Sequence, residues 1–347
     1  MSFLIWRQYR LQAAFAALVL AVFAAVLLTT GLKMASQWHT ILSACTASGT
    51  CGSLQQQGGA SLGSVLGHDF AILSMLAPAL FGMLVGAPLL AREYESRTFD
   101  FAWSQSVTRT RWLLVKVGWV LLAAAVWGGV IAELVTWWSG PRNAAYQNWF
   151  QPNYFDQQGI VPIGYSVFAT ALGIAAGAVF RRTLPAVAIV VGGFIGLRLW
   201  TSQDLRLHYM TPVTTSYSMT GNFNPPTGSP LVGGGMTGPN GQVLAQNFNS
   251  DNTFNGVPIS SLPHACQALA SQASNLSTQA SNSAQNAANS AQNAANQCLA
   301  RAGYHNFLSY QPASRYWAFQ GIETGIFVAL ALVLLAVTFY VVRNRDA

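Results

Sequence analysis

Ionisable residues inside apolar stretches are the first candidates for chemistry in this chain, because only 8% of its residues are charged. Glu133, Arg198 and Glu323 all fall near the ends of long apolar stretches. A charge in apolar surroundings must be paired or must reach water. We predict that the three residues lie at one depth and form an ion-paired cluster. The alternative is that each reaches water alone.

A second concentration of charge lies between residues 91 and 116, which hold five of the seventeen basic and three of the ten acidic residues. Aromatic and polar residues alternate in part of this stretch. Positive charge alone is typical of any loop beside a membrane, but the interleaved aromatic residues favour a surface on which another protein docks. The residues assigned to this surface are Glu93, Glu95, Arg97, Phe99, Phe101, Trp103, Gln105, Arg109 and Arg111.

Enzyme signatures are missing from the sequence. The phosphate-binding pattern GxxxxGK[ST] does not occur, and neither of the two lysines, Lys33 and Lys116, follows a glycine loop. The metalloprotease, serine hydrolase and paired-carboxylate patterns are also missing, and the five histidines are scattered. We therefore predict no catalytic residue, no metal site and no nucleotide site in this chain. An intramembrane enzyme is disfavoured on the same grounds.

The apolar residues are clustered into stretches that are long enough to cross a bilayer, which takes roughly 20 residues. They predict six transmembrane helices at residues 11–32, 70–91, 113–138, 157–180, 184–200 and 324–342. The fold class is therefore an all-α polytopic membrane protein.

The distribution of Lys and Arg predicts the orientation. With the N-terminus inside, the short inner segments hold eleven basic residues, and the much longer outer segments hold six. Because inner loops carry the positive excess, we expect both termini in the cytoplasm. The formal charge of +7 then anchors the protein to the membrane and does not indicate nucleic-acid binding. The predicted ion cluster would close the outer end of the bundle.

Four regions follow along the chain. The predicted regions are an inner interfacial helix at 1–10, transmembrane helices one to five at 11–200 with a cytoplasmic segment at 92–111, a large extracellular region at 201–321, and the sixth helix with a cytoplasmic tail at 322–347.

All four cysteines fall in predicted outer loops, where oxidising conditions favour disulfides. Each loop holds two of them, so we predict the pairs Cys45–Cys51 and Cys266–Cys298. Zinc is the alternative, but no further ligand stands at zinc spacing.

Around the second cysteine pair, small residues recur at alternating spacings of four and three, on a seam that includes Ala287 and Ala294. A helical hairpin at about 264–300 would bring these two cysteines together. The alternative is a disordered low-complexity tract. A β-hairpin is also predicted around Asn240-Gly241.

Three stretches resemble actinobacterial permease subunits of the ABC type-2 exporter superfamily. They are GAPLLAREYESRTFDFAWSQSVTRTRWLLVK at 86–116, FDQQGIVPIGYSVFATALGIAAGAVFRRTLPA at 155–186 and SRYWAFQGIETGIFVALALVLLA at 314–336. The resemblance implies a six-helix subunit that forms a homodimer in a bacterial plasma membrane. It also implies two cytoplasmic ATPase subunits that bind ATP and Mg, with residues 93–111 as the segment that couples to them.

The function expected from these features is export of a hydrophobic or amphipathic compound, driven by ATP that a separate subunit hydrolyses. The alternative is a multi-span anchor for an extracellular sensor or binding module. The aromatic-rich inner segment disfavours it, because a passive anchor does not need a docking surface.

Overall fold

A computed structural model describes residues 2–48, 67–96, 109–146, 150–246, 253–277 and 282–345. The fold is mostly helical, and six of its helical segments are long and apolar enough to cross a membrane, as predicted. The first, fifth and sixth extend further than expected, to Ala14–Ile41, Thr183–His208 and Ala313–Asn344. The α-helices are α1 Ser2–Ser48, α2 Gly67–Phe81, α3 Pro88–Glu95, α4 Arg109–Tyr146, α5 Pro152–Phe155, α6 Val161–Phe180, α7 Thr183–Trp200, α8 His264–Ser277, α9 Asn282–Arg301 and α10 Tyr316–Arg345.

The chain divides into two compact units. The helical unit consists of Met1–Tyr209 and Tyr316–Ala347, and the inserted unit is Met210–Arg315. All six candidate spans lie essentially in the helical unit.

The helix α1 runs without a break over 47 residues. Residues 2–10 are therefore the first turns of the same helix as the first span, and they do not form a separate interfacial helix. At 1.5 Å per residue α1 is about 70 Å long, more than twice the hydrocarbon thickness of a bilayer.

The second span changes its helical form midway. A π-helical segment, Gly82–Gly86, joins α2 to α3, and Ala87 N donates to Gly82 O at 2.8 Å. The segment lies directly on α6: a Cβ atom on Gly82 would be 2.6 Å from Ala169 O. Only glycine allows two backbones to come this close, so the sequence places the second span against α6.

The helix α6 is the most buried span, and its two ends define the two ends of the helical unit. Its 20 residues cover about 30 Å. We call the end of the unit at which α6 stops the Glu93 end; the last turn of α3 and the first turns of α4 and α7 lie there. We call the end at which α6 starts the Asp156 end; α5, the first turns of α10 and the last turns of α7 lie there.

The inserted unit contains a four-stranded antiparallel sheet in the order β1-β6-β2-β3 and a separate pair, β4-β5. Its strands are β1 Val213–Ser218, β2 Leu231–Thr237, β3 Val243–Ala245, β4 Thr253–Phe254, β5 Val257–Pro258 and β6 His305–Tyr310. The β2-β3 pair is the hairpin predicted around Asn240-Gly241, and Gly241 has the positive φ of +75° that its turn requires.

The all-α prediction is therefore wrong for the inserted unit. The central strand β6 pairs with β1, which precedes it by almost ninety residues, for example Thr215 with Leu308. Neither strand has a strongly apolar face in its sequence, and pairing over such a separation leaves no local signal.

The predicted helical hairpin is present as α8 and α9, joined by the Cys266–Cys298 disulfide with the two Cα atoms 5.8 Å apart. On α8 the predicted seam is buried at Cys266, Ala270 and Ala273. On α9 the buried residues are Ala288, Ala291, Ala295 and Leu299. Ala291 is thus buried as predicted, but Ala288 and Ala295 are buried in place of the predicted Ala287 and Ala294, and Leu299 packs into the same apolar cluster. Cys45 lies in α1, and the predicted Cys45–Cys51 pair reaches outside the described residues.

Candidate functional site

At the Glu93 end, the last turn of α3 directs one carboxylate into the unit. Glu93 is buried and pairs with Lys116 of α4. Lys116 Nζ also donates to Leu89 O at 3.1 Å and lies 4.7 Å from the ring centre of Trp112. Because a buried charge is costly without a partner, this pair fixes α3 to α4.

The next carboxylate of α3, Glu95, is exposed and binds the first turn of α7. Its Oε1 accepts from Thr183 N at 2.7 Å, and its Oε2 accepts from the Thr183 hydroxyl at 3.0 Å. The first N–H groups of a helix have no partner inside the helix. Arg182 stands at the N-cap and provides no side-chain cap. Glu95 therefore performs the capping function from a different helix.

The turn between α6 and α7 has strained backbone. Arg181 ends α6 with a φ of +54°, a left-handed conformation that is uncommon for a residue other than glycine. Its guanidinium lies 5.0 Å from the ring centre of Tyr94 on α3. The last turn of α3 thus contacts the α6–α7 turn through both Tyr94 and Glu95.

The structure places the predicted docking residues in different settings. Glu93 faces inward, Glu95 caps α7, and Arg111 is exposed on the first turns of α4. Arg109 is the first residue of α4. The remaining five lie outside the described residues, namely Arg97, Phe99, Phe101, Trp103 and Gln105.

At the Asp156 end, one buried carboxylate receives two arginines. Asp156 Oδ2 accepts from Arg198 Nε at 2.9 Å and from Arg198 Nη2 at 2.7 Å. Asp156 Oδ1 accepts from Arg206 Nη2. Arg206 is stacked on the ring of Phe155, with its guanidinium carbon 4.1 Å from the ring centre.

The chain after α7 is shaped so that both arginines reach Asp156. In a regular α-helix, residues eight apart such as Arg198 and Arg206 would differ by about 80° around the axis. A π-helical segment, Thr201–Leu205, separates the two, and Arg206 N bonds Thr201 O. Because i→i+5 bonding turns less per residue, this segment brings Arg206 back toward the face that holds Arg198.

Glu323 of α10 completes the ion network. Its carboxylate accepts from Arg206 Nη2 at 2.8 Å, from Arg206 Nε at 3.0 Å and from the Tyr165 hydroxyl. Tyr209, beyond the fifth span, donates to Glu323 at 3.3 Å, and burial raises the pKa of Tyr209, so it remains a neutral donor. The network balances two carboxylates against two guanidinium groups. It fixes α5, α6, α7 and α10 to one another.

The predicted cluster of Glu133, Arg198 and Glu323 is thus assembled differently. Arg198 and Glu323 belong to one network, and they are joined through Asp156 and Arg206. Glu133 is exposed and takes part in none of the ion pairs found in the described part of the chain. It lies on the exposed stripe of α4 with Val126, Val130 and Trp137.

Sequence reasoning missed Asp156 and Arg206. Asp156 begins the polar run Asp156-Gln157-Gln158-Gly159 at the start of the predicted fourth span, where a charge can reach water. Arg206 follows the last apolar residues of the fifth span, where an arginine normally snorkels to water. The spacing from Arg198 gave no signal, because in a regular helix the two arginines would lie about 80° apart around the axis.

The polar run around Asp156 also binds further helices with neutral groups. Gln157 Oε1 accepts from the Ser74 hydroxyl at 2.7 Å, and Gln158 Oε1 accepts from Asn143 Nδ2 at 2.9 Å. Gln320 Oε1 accepts from the backbone N–H groups of Ile160 and Val161, both at 3.0 Å. Adjacent side chains of this short segment therefore bind α2, α4 and α7, and its backbone binds α10.

Six helical segments that are long and apolar enough to cross a bilayer indicate a polytopic membrane protein. The sequence matches the family described as ABC-2 membrane transporter related over residues 17–206, which is more than half of the chain. The chain belongs to this family, and the expected resemblance to ABC type-2 permeases is confirmed. The matched range includes Glu93, Glu95, Asp156, Arg198 and Arg206, but it leaves out α10 and stops before the inserted unit. No curated protein matches the sequence, and no solved structure does.

Proposed function

We propose that the chain is the transmembrane subunit of an ATP-driven exporter whose ATP and Mg are bound by separate cytoplasmic ATPase subunits. The observation that supports this best is the attachment of the last turn of α3. Glu93 binds it to α4, and Glu95 binds it to α7. A push on the chain that follows α3 would therefore move the first turns of two spans together.

The Glu93 end is proposed to face the cytoplasm. Its exposed side chains include a group of arginines, as positive-inside topology requires. The arginines exposed at this end are Arg92, Arg111, Arg181, Arg182 and Arg343. The Asp156 end and the inserted unit would then lie on the outer side, where the Cys266–Cys298 disulfide is stable.

The coupling surface is proposed to be formed by the residues between α3 and α4 together with the first turns of α4. Its members facing the ATPase would be Arg97, Phe99, Phe101, Trp103, Gln105, Arg109 and Arg111. Glu93 and Glu95 transmit the movement from inside the subunit. Closure of the ATPase dimer would displace this surface and switch the spans as rigid bodies between two accessible states.

The assembly would contain two ATPase subunits and a second copy of the permease in a bacterial plasma membrane. The cargo class is a hydrophobic or amphipathic compound. The apolar composition of the spans supports that class, because the ion pairs among the described residues lie at the two ends of the helical unit.

Affinity purification of the full-length chain from its native membrane tests the proposal. We expect an ATP-hydrolysing subunit to accompany the wild-type chain and to be lost with Trp103→Ala. Trp200→Ala is the matched control, because Trp200 is 54% exposed at the opposite end of the helical unit. Recovery of the chain without any ATPase would contradict the proposal, as would equal retention in both variants.

A further inference from the structure

The helix α7 has a narrow lateral contact with the rest of the helical unit. Its buried residues are Ala186, Val190, Phe194 and Arg198, spaced four apart along one stripe. Phe194 packs edge-on against Tyr165 of α6, with ring centres 5.7 Å apart. The other faces of α7 are partly or fully exposed. Such a helix is positioned mainly by what binds its two ends.

The two ends of α7 are bound by contacts of different strength. At its first turn, the Glu95–Thr183 bonds are exposed to solvent. At its last turn, Arg198 meets Asp156 in a buried pair, with side-chain exposures of 10% and 1%. Water competes for the first contact and is excluded from the second.

The backbone beside the weaker contact is also held in an unfavourable conformation. Arg181 keeps its positive φ of +54° while Tyr94 covers its guanidinium and Glu95 caps the next turn. All of these contacts come from the last turn of α3. Displacement of α3 would therefore release the α6–α7 turn toward the conformations that arginine prefers.

We propose that Glu95 is a positioning residue that sets the tilt of α7, and that α7 turns about the Arg198–Asp156 contact when the last turn of α3 moves. This inference rests on the proposed function, since the partner ATPase supplies the displacement. Thr183 precedes Arg198 by fifteen residues, about 22 Å of helix, so a tilt of about 10° moves Thr183 by about 4 Å.

Distances between paired spin labels in the purified permease–ATPase complex test the inference. One pair, Leu184→Cys with Tyr340→Cys, reports the Glu93 end, and the other, Leu199→Cys with Trp317→Cys, reports the Asp156 end. The exposed fractions are 84% for Leu184, 68% for Tyr340, 51% for Leu199 and 64% for Trp317. Both pairs use α10 as the reference, because α4 is bound to α3 and would move with it. The labels are placed in a chain with Cys45→Ser and Cys51→Ser.

On addition of a non-hydrolysed ATP analogue with Mg, we expect the Leu184–Tyr340 distance to shift by about 4 Å, as the tilt requires, and the Leu199–Trp317 distance to stay within about 1 Å. Glu95→Ala should abolish the first shift. Glu95→Gln, which retains an acceptor oxygen, should restore it, and Arg182→Ala in the same turn should leave it unchanged. Each variant is measured well below its own melting temperature, so that misfolding is excluded.

The outcomes separate the two proposals. A complex that hydrolyses ATP but shifts both distances equally overturns the role of α7 and leaves the proposed function standing. A shift in Glu95→Ala as large as in the wild type overturns the role of Glu95. Failure to recover any ATPase with the chain overturns both proposals.

Discussion

At the Glu93 end one carboxylate is buried and its neighbour is exposed, whereas at the Asp156 end both carboxylates are buried. The two carboxylates at the Glu93 end each bind a different helix, which lets the end rearrange in parts. The two carboxylates at the Asp156 end share Arg206. Neither the segment around Asp156 nor α10 can therefore move away without disturbing the other. The comparison shows how one bundle can combine an adjustable end with a fixed one.

The largest expected effect comes from Asp156→Asn. This change removes the one carboxylate that Arg198 contacts among the described residues and leaves a guanidinium buried. Loss of one partner of a buried pair costs about 3–5 kcal/mol. Thermal unfolding of the purified chain should show a large fall in melting temperature, while Glu133→Gln, an exposed acid of α4, should show almost none. Equal melting temperatures would contradict a fixed Asp156 end.

A double-mutant cycle at the Glu93 end should give the next largest effect. Glu93→Gln alone leaves Lys116 buried without its carboxylate, at a cost of about 3 kcal/mol. Adding Lys116→Met to Glu93→Gln should recover most of this loss, because the unpaired charge is then removed. Additive losses in unfolding free energy would show that the two residues do not act as a pair.

Glu323→Gln should lower the free energy of unfolding by about 2 kcal/mol, less than Asp156→Asn. Arg206 still pairs with Asp156 in this variant, and the Arg198–Asp156 pair is unchanged. Unfolding both variants in one experiment ranks the two carboxylates of the network by their contribution to the free energy of unfolding. A larger loss for Glu323→Gln would mean that α10, and not the segment around Asp156, holds this end together.

The smallest effect is expected from Glu95→Ala, about 1 kcal/mol, since it removes an exposed helix cap. Thr183→Val removes the hydroxyl bond alone and should cost less than that. Unfolding measurements on both variants sharpen the comparison between the ends. A loss as large as that of Asp156→Asn would show that the Glu93 end is not the more adjustable one.

The helices of the membrane unit could be predicted from sequence because span length is set by bilayer thickness and not by tertiary contacts. The Cys266–Cys298 pair could be predicted because both cysteines share one segment with a helical period. The Cys45–Cys51 pair and most of the docking residues stay predictions, since they fall outside the described residues.

The ion network could be predicted only in part. Arg198 and Glu323 stood out because charge is rare in apolar stretches, but the same rule selected Glu133, whose position on α4 faces outward. Asp156 stood directly before a predicted span, where a charge can reach water, and the π-helical turn that brings Arg206 to it has no sequence signature. The β1–β6 pairing was not predicted, because it joins strands that are far apart in the chain.

Labelling from one side of the membrane tests most directly the claim that the Glu93 end faces the cytoplasm. Ser96→Cys marks that end and Asp204→Cys marks the Asp156 end, both at exposed positions, in a chain with Cys45→Ser and Cys51→Ser. With a membrane-impermeant maleimide, we expect Asp204→Cys to react in intact cells and Ser96→Cys to react only in inverted vesicles. Reaction of Ser96→Cys in intact cells would contradict the account.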